Sequence, residues 1–228
     1  GAGHMIAAFF DVDGTLYSGR VWCGLMDYWK THGRRLDAQL YYLRFMPHYI
    51  ARKLKLISEE HFRAPWAEHL AWPMRGWTKA QAQACFDWVA CEYLEPLRHE
   101  DIIARLHEHQ SQGHVVVLVS SGLSPLLATI GATLSVEHIV GPQVEWRDGR
   151  LTGRTLPPLV IGERKASVTR QRLRDWGLEV DLAGSFAYAD SISDLPLLEL
   201  VGHPTAVYPD EQLAVLARER GWPVLNGG

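Results

Sequence analysis

The sequence predicts an α/β protein in which a parallel β-sheet is covered by helices on both faces, with a helical insertion after the first strand. Continuous apolar runs at 6–10, 115–119, 186–189 and 205–207 alternate with stretches of helical pattern. Strands that are buried on both faces produce such unbroken apolar runs. Their alternation with helices is typical of a parallel sheet.

The composition agrees with a globular protein and excludes several function classes. The chain has 228 residues, 47% of them hydrophobic, which fits one or two domains. Its 23 Lys and Arg against 26 Asp and Glu exclude a globally basic nucleic-acid binder. Three cysteines without a CxxC pair argue against a disulfide framework or a Cys-rich zinc site, so we expect a reduced, cytoplasmic location.

Three helices and one hairpin can be placed in the later part of the chain. The helices, over 101–112, 164–176 and 211–220, are each followed by a glycine, which commonly ends a helix. The pair Asp148-Gly149 stands between Trp146 and Leu151, and this favours a β-hairpin within 143–154.

The interval 18–95 interrupts this alternation and reads as helical throughout. Thr78 and Gln81 form a capping-box pattern, and apolar residues follow at helical spacing. Four residues are expected to divide the rest into short helices: Gly33, Pro47, Pro65 and Pro73.

The first candidate site is the segment Asp11-Val12-Asp13-Gly14-Thr15, which directly follows the first predicted strand. Alternate residues that leave a strand can point the same way, so the two carboxylates would converge. Such a pair repels itself unless a cation or a shared proton intervenes, and carboxylate oxygens suit Mg²⁺. Gly14 would let the backbone approach a ligand closely. The alternative is an Asp-rich turn in which Thr15 caps a helix.

Polar residues also end the second apolar run. Ser120, Ser121 and Gly122 follow it, and a hydroxyl with backbone N–H groups at such a turn can hold a phosphate oxygen. A plain helix cap is the simpler interpretation of this segment alone.

The third run is followed by Asp190 and Asp194, which add two carboxylates at the same sheet edge. Four acidic groups together need compensating positive charge, most simply a metal ion and a lysine. Lys165, which opens a predicted helix, is the candidate lysine. Its alternative role is that of a solvated surface residue.

Taken in order, these segments resemble the four motifs of the haloacid dehalogenase (HAD) superfamily of phosphohydrolases. The segments 9–16, 117–120 and 189–194 and the residue Lys165 carry the resemblance. The helical insertion is similar to the type-one cap of the subfamily that contains phosphoserine phosphatase. The resemblance implies a Rossmann-like, three-layer catalytic core over 5–17 and 96–228 and an all-helical cap over 18–95.

The resemblance also implies a Mg²⁺-dependent phosphomonoester hydrolase. Asp11 would be the nucleophile that forms an aspartyl-phosphate, and Asp13 the general acid and base. Mg²⁺ would be held by Asp11, the backbone carbonyl of Asp13 and Asp190, with Asp194 in a supporting position.

The remaining site residues would bind the substrate. Ser120 and Lys165 would bind phosphoryl oxygens. Four more would surround the phosphate group: Gly14, Thr15, Ser121 and Gly122.

The substrate is expected to be a small phosphorylated metabolite or a lysophospholipid-like molecule. Serine-specific members of the family carry a Glu seven residues after the second motif Asp, where this chain has Arg20. The reversed charge should repel an ammonium group, so phosphoserine is not expected.

The segment 29–55, between Tyr28 and Leu56, contains seven Lys and Arg against one acid, together with five aromatic residues. One interpretation is weak contact with an anionic lipid surface. The other is that the aromatic residues form the core of the cap and the charges its wet face.

Two rival functions stay open. A phosphotransferase or mutase on the same scaffold would differ in whether water or a second alcohol accepts the phosphoryl group. A non-catalytic phospho-accepting receiver domain is disfavoured, because receivers carry an adjacent acid pair and no long helical insertion. Beyond a small phosphorylated substrate, no nucleic-acid partner and no obligate protein partner are predicted.

Overall fold

The computed structural model describes residues 5–226, apart from the side chains of residues 59 and 60. Its main sheet contains six parallel strands. The strands of the chain are β1 (Ala7–Asp11), β2 (Val115–Val119), β3 (His138–Val140), β4 (Gln143–Arg147), β5 (Arg150–Leu156), β6 (Phe186–Ala189), β7 (His203–Val207) and β8 (Val224–Leu225). The order across the sheet is β3-β2-β1-β6-β7-β8, so the predicted parallel sheet is confirmed.

Helices cover both faces of this sheet. They are α1 (Val21–Thr31), α2 (Arg35–Lys53), α3 (Glu59–Glu68), α4 (Lys79–Trp88), α5 (Glu100–Ser111), α6 (Ser124–Thr133), α7 (Glu163–Asp175), α8 (Leu195–Leu198) and α9 (Glu211–Arg220). A π-helical turn, Val89–Tyr93, extends α4. The predicted helices over 101–112, 164–176 and 211–220 correspond to α5, α7 and α9 within one residue at each end.

Alternate residues of β1 enter two different hydrophobic cores. Phe9 packs with side chains of α7, α8 and α9 on one face of the sheet. Phe10 packs on the other face with α5 and α6, and this core continues without a break into the helices of 18–95, where Trp29 and Phe86 are buried. The core is therefore a three-layer α/β structure whose helical insertion shares one of its two hydrophobic cores.

The insertion is helical, as predicted, but two of its predicted breaks are not breaks. Gly33 does separate α1 from α2, with a positive φ of 83°. Pro47 and Pro65 instead lie inside α2 and α3, so the prediction that they end helices was wrong. Pro47 is exposed, and water there can satisfy the carbonyl that loses its partner. Packing of the opposite face of α2 outweighs the lost hydrogen bond.

The hairpin and the capping box are confirmed. Asp148 and Gly149 both have positive φ, 51° and 74°, which is the conformation of a type I′ turn between β4 and β5. Thr78 and Gln81 make the reciprocal capping bonds that begin α4. The hairpin packs against the insertion, because Arg150 donates to the Gly76 carbonyl at 2.8 Å.

Within residues 5–226, no helix combines the length and the apolar character that crossing a bilayer requires. The short strands β3 and β8 were not predicted, since three and two residues carry too little pattern to be recognised.

Candidate active site

Three polar groups meet where the central strands end. Asp11 is the last residue of β1 and lies opposite Val119, the last residue of β2. Ser120 follows β2 directly, and Asp190 follows β6, which pairs with β1 on its other side. Parallel pairing therefore brings together side chains that are far apart in the sequence, as predicted for the carboxyl edge of an open α/β sheet.

A buried lysine joins two of the carboxylates. Lys165, in the first turn of α7, donates from Nζ to Oδ1 of Asp11 at 2.8 Å and to Oδ1 of Asp194 at 2.5 Å. All three side chains are almost fully buried. Although burial lowers the pKa of Lys165, the charges of Asp11 and Asp194 raise it above its ordinary range. Lys165 is therefore an ammonium fixed inside the site, and the surface interpretation is wrong.

Gly14 and Thr15 hold the carboxylates in place. Thr15 Oγ1 donates to Oδ2 of Asp11 at 3.1 Å and lies 3.4 Å from Oδ1 of Asp190. Gly14 has a φ of 79°, and a Cβ at this position would overlap the Asp190 carboxylate. Neither residue lines the cavity of the site; in this structure both lie against the carboxylates, and the substrate contact stays a prediction.

Asp13 faces the first helix of the insertion. Its Oδ1 accepts the Val21 N–H at 2.9 Å, which satisfies an otherwise unpaired donor at the start of α1. Burial raises the pKa of Asp13 to about 6, helped by the charge of Asp11 and opposed by the Val21 bond and by Arg20. A carboxyl group with a pKa near neutrality can both give and take a proton under ordinary conditions.

The carboxylates fit a divalent cation. Ligand oxygens of Asp11, Asp190 and Asp194 all lie within 4.8 Å of one another. Burial and the two neighbouring carboxylates raise the pKa of Asp190, so this group resists ionisation while positive charge is lacking. Lys165 balances only one of three negative charges, and oxygen donors of this kind suit Mg²⁺. Asp194 thus joins the cluster itself, whereas the sequence placed it in a supporting position.

The turn after β2 is pre-organised around Ser120. The Ser120 hydroxyl is buried and accepts the Gly122 N–H at 3.0 Å. Because the oxygen is the acceptor in this bond, its own proton can be donated to a phosphoryl oxygen. Ser121 and Gly122 line the same cavity, although the Gly122 N–H is already used within the turn.

The cavity has a volume of about 440 Å³ and lies between the sheet edge and the insertion. Asp11, Asp13, Ser120, Lys165, Asp190 and Asp194 line its floor, and Arg20 stands at its side. Most of its remaining wall comes from the insertion: Trp22, Tyr41, Tyr42, Tyr49, Arg52, Phe62, Arg63 and Trp66.

The sequence did not identify this wall as part of the site. Tyr41, Tyr42 and Tyr49 were noticed only as members of a basic aromatic segment. Phe62, Arg63 and Trp66 belong to no motif, and only packing of α3 over the sheet edge brings them to the cavity. Arg63 also contacts the sheet part of the protein, because it donates to Oγ of Ser193, which follows β6, at 3.2 Å.

Known proteins resemble this chain over most of its length. A histidinol-phosphatase of Neisseria meningitidis is 33% identical over 69% of this chain and 72% of its own length. A phosphoserine phosphatase of Mycobacterium tuberculosis is 32% identical over 96% of this chain and 70% of its own length. The chain spans only 54% of another M. tuberculosis relative, a probable phosphatase with 32% identity over 69% of this chain.

The fold has been seen in a solved structure as well. A Bordetella pertussis protein of unknown function superposes with a TM-score of 0.81 at 26% identity, covering 98% of this chain and 99% of that one. The sequence pattern of the haloacid dehalogenase-like hydrolases matches residues 8–199, which include every carboxylate of the site and Lys165. The chain therefore belongs to the haloacid dehalogenase-like hydrolase family, and within it to the phosphatases, which hydrolyse phosphoric monoesters.

Proposed function

We propose that this phosphatase is Mg²⁺-dependent and works through an aspartyl-phosphate on Asp11. The observation that carries the proposal is the buried Asp11–Lys165–Asp194 arrangement at the end of β1. Lys165 orients Asp11 and places a positive charge beside it, and one of its three ammonium protons stays available for a phosphoryl oxygen. A nucleophilic carboxylate needs this combination of fixed geometry and nearby positive charge.

The reaction has two steps. An oxygen of Asp11 bonds to phosphorus while the bond from phosphorus to the ester oxygen breaks, and the Asp13 carboxyl gives its proton to that leaving oxygen. Water then bonds to the same phosphorus, Asp13 takes the water proton, and the bond between phosphorus and Asp11 breaks. Inorganic phosphate leaves, and Asp11 and Asp13 return to their starting states.

The remaining groups stabilise the charge on the phosphoryl oxygens. Ser120 and Lys165 would donate to these oxygens as negative charge spreads over them. Asp11, Asp190 and the Asp13 carbonyl, with Asp194 close by, would hold Mg²⁺. When bound, the ion supplies positive charge that reduces repulsion between the Asp11 carboxylate and the substrate phosphate.

For the substrate we propose a small phosphorylated metabolite or a lysophospholipid-like molecule without a free ammonium group. Arg20 stands at the cavity and lowers the pKa of Asp13 through its charge, so the two groups are electrostatically close. A cation in this position disfavours a substrate ammonium and favours a second anionic group. Aromatic side chains on the insertion offer the rest of the substrate an apolar wall.

The names of two relatives point to other substrates, since both phosphoserine and histidinol phosphate carry an ammonium group. A panel of phosphoserine, histidinol phosphate, glycerol phosphate, sugar phosphates and lysophosphatidate distinguishes these possibilities. We expect the highest kcat/KM for a member without an ammonium group. Efficient turnover of phosphoserine would refute this substrate class and leave the mechanism intact.

The mechanism has its own test in Asp11→Asn, because an amide cannot form the acyl phosphate. We expect no turnover of a nitrophenyl phosphate by this variant, and none by the wild type in excess EDTA. Undiminished activity in either experiment would exclude the mechanism. Adding a high concentration of glycerol and measuring glycerol phosphate alongside inorganic phosphate would separate a hydrolase from a phosphotransferase.

A further inference from the structure

The outer face of α2 carries a row of exposed apolar residues that the proposed function does not use. We call it the apolar stripe, and its members are Leu36, Leu40, Leu43, Pro47, Ile50 and Leu54. Alternating steps of four and three residues keep all six within about 80° of one another around the helix axis. The opposite face of α2, with Ala38, Tyr41 and Phe45, is buried in the core of the insertion.

The exposure of the stripe is large for apolar side chains on one helix. Leu36 is 75% exposed, Leu43 63% and Leu54 64%. Single exposed leucines are ordinary, but a continuous row of them indicates a surface that is covered by something else in use. Along Leu43, Ile50 and Leu54 the surface forms a shallow apolar depression.

Basic side chains border the stripe on both sides. We call these the basic rim, and they are Arg35, Arg44, Lys53 and Lys55, all of them exposed. The acid of the same segment, Asp37, is already engaged by Arg34 at 3.1 Å and by Arg75 at 3.0 Å. The rim is therefore strongly positive although the chain as a whole has a formal charge of −3.

We propose that the apolar stripe and the basic rim dock this protein on an anionic lipid surface. An apolar row flanked by lysine and arginine is the arrangement with which a helix lies in a membrane interface, with its apolar side chains in the acyl boundary and its cations at lipid phosphates. Pairing with a second copy through the same face fits less well, because it brings two basic rims together.

The aromatic residues of the segment take little part in this surface. Trp29, Tyr41 and Phe45 are buried, so the leucines and the isoleucine supply the apolar contact. Tyr42 and Tyr49 lie on the side of α2 away from the stripe, and both line the active-site cavity. Because the stripe and the cavity then lie on two sides of one helix, docking through α2 would bring the cavity close to the lipid interface. This holds whichever phosphate ester the enzyme hydrolyses.

Co-sedimentation of the full chain with lipid vesicles tests the proposal. The vesicles contain either phosphatidylcholine alone or phosphatidylcholine with about one third phosphatidylglycerol, at about 0.1 M salt. We expect binding to the anionic vesicles only. The double variant Leu43→Asp with Ile50→Asp should lower the vesicle partition coefficient roughly tenfold or more, because two apolar anchors are lost. Arg44→Glu with Lys53→Glu should lower it by a similar factor.

Two controls keep the result interpretable. Val215→Asp changes an apolar residue that is 44% exposed on α9, away from the stripe, and should bind vesicles like the wild type. Hydrolysis of nitrophenyl phosphate in solution should be unchanged in the Leu43 and Ile50 variant, because these residues do not line the cavity.

Several outcomes would overturn the proposal. One is a wild type that does not bind anionic vesicles, or that binds neutral ones equally well. Another is vesicle binding that survives loss of Leu43 and Ile50, since attraction would then be electrostatic only. A third is a wild-type dimer in light scattering that the same double variant converts to monomers, because a second copy would then be the occupant of the stripe.

Discussion

Asp13 combines two tasks in one side chain, because it lines the cavity, where the proposed mechanism gives it the role of general acid and base, and also accepts the first N–H of α1. Asp13→Asn keeps an oxygen for the Val21 N–H but removes the transferable proton. We expect turnover of alkyl phosphates to fall by roughly 10²- to 10⁴-fold, the usual value of general acid–base catalysis.

Substrates with different leaving groups test whether Asp13 donates this proton to the leaving oxygen. A nitrophenolate leaves without protonation, so the first turnover of nitrophenyl phosphate by Asp13→Asn should be slowed far less than that of an alkyl phosphate. Rapid-quench measurement of the first turnover checks this. Equal losses for the two substrates would remove Asp13 from the acid role.

Arg20 is exposed and lines the cavity at the start of α1. Arg20→Glu should lower kcat/KM for the best substrate more than tenfold, since hydrogen bonds to charged groups contribute about 1.5–3 kcal/mol. Lys30→Glu makes the same charge change near the other end of α1, outside the cavity, and serves as the matched control. A tenfold loss in the control as well would attribute the effect to net charge instead of to contact with substrate.

At the scale of the element, α5 and β6 share a buried polar contact that makes stability depend on pH. His109 on α5 lies 2.7 Å through Nε2 from the Tyr188 hydroxyl and 2.8 Å through Nδ1 from His114 Nδ1. Burial, with the charges of His114 and Arg105, lowers the pKa of His109 from 6.5 to about 4. The folded protein therefore binds fewer protons than the unfolded chain between these values.

The contribution of buried, neutral His109 to the free energy of unfolding is fully present above about pH 6.5. It is lost as the pH falls towards 4, and the total loss is up to about 3 kcal/mol. Urea unfolding at several pH values should show this slope in the wild type. His109→Gln should be less stable at neutral pH but should lose less on acidification, whereas His107→Gln, exposed on the same helix, should keep the wild-type slope. An unchanged slope in His109→Gln would contradict this account.

The elements differ in how far the sequence determined them. The unbroken apolar run of β2 and the glycine after α5 are local signals, and both predicted the structure correctly. α2 was predicted as broken pieces, because the cost of Pro47 is local whereas the packing that compensates it comes from distant residues such as Trp66. Propensity is regularly overridden by tertiary contacts of this kind.

The residues of the candidate site also differ in how well the sequence could predict them. Asp11, Ser120 and Asp190 could be found because each ends or directly follows a strand, and topology then brings the strand ends together. The wall formed by Phe62, Arg63 and Trp66 could not be found, because it depends on how α3 packs over the sheet edge. The convergence of polar residues at the strand ends was thus predictable, and the residues that form the rest of the cavity wall were not.

At the scale of the whole molecule, the inserted helices and the sheet are parts of one hydrophobic core. Phe10 and Leu118 of the sheet belong to the same buried cluster as Trp29 and Phe86 of the insertion. An insertion with its own closed core could unfold separately, but one that shares its core cannot lose its packing without exposing the sheet. We therefore predict a single cooperative unfolding transition for the chain.

The tryptophans make this prediction testable. Six of the nine lie within 18–95, so their fluorescence reports mainly on the insertion. Far-ultraviolet circular dichroism reports on all helices and strands. The two urea curves should coincide in the wild type. Phe86→Ala should shift both curves together to lower urea concentration, because it leaves a cavity in the shared core. The free energy of unfolding should fall by about 3–5 kcal/mol in both. Fluorescence that changes at a lower urea concentration than circular dichroism would show instead that the insertion unfolds on its own, and that its contacts with the sheet contribute little to the stability of either part.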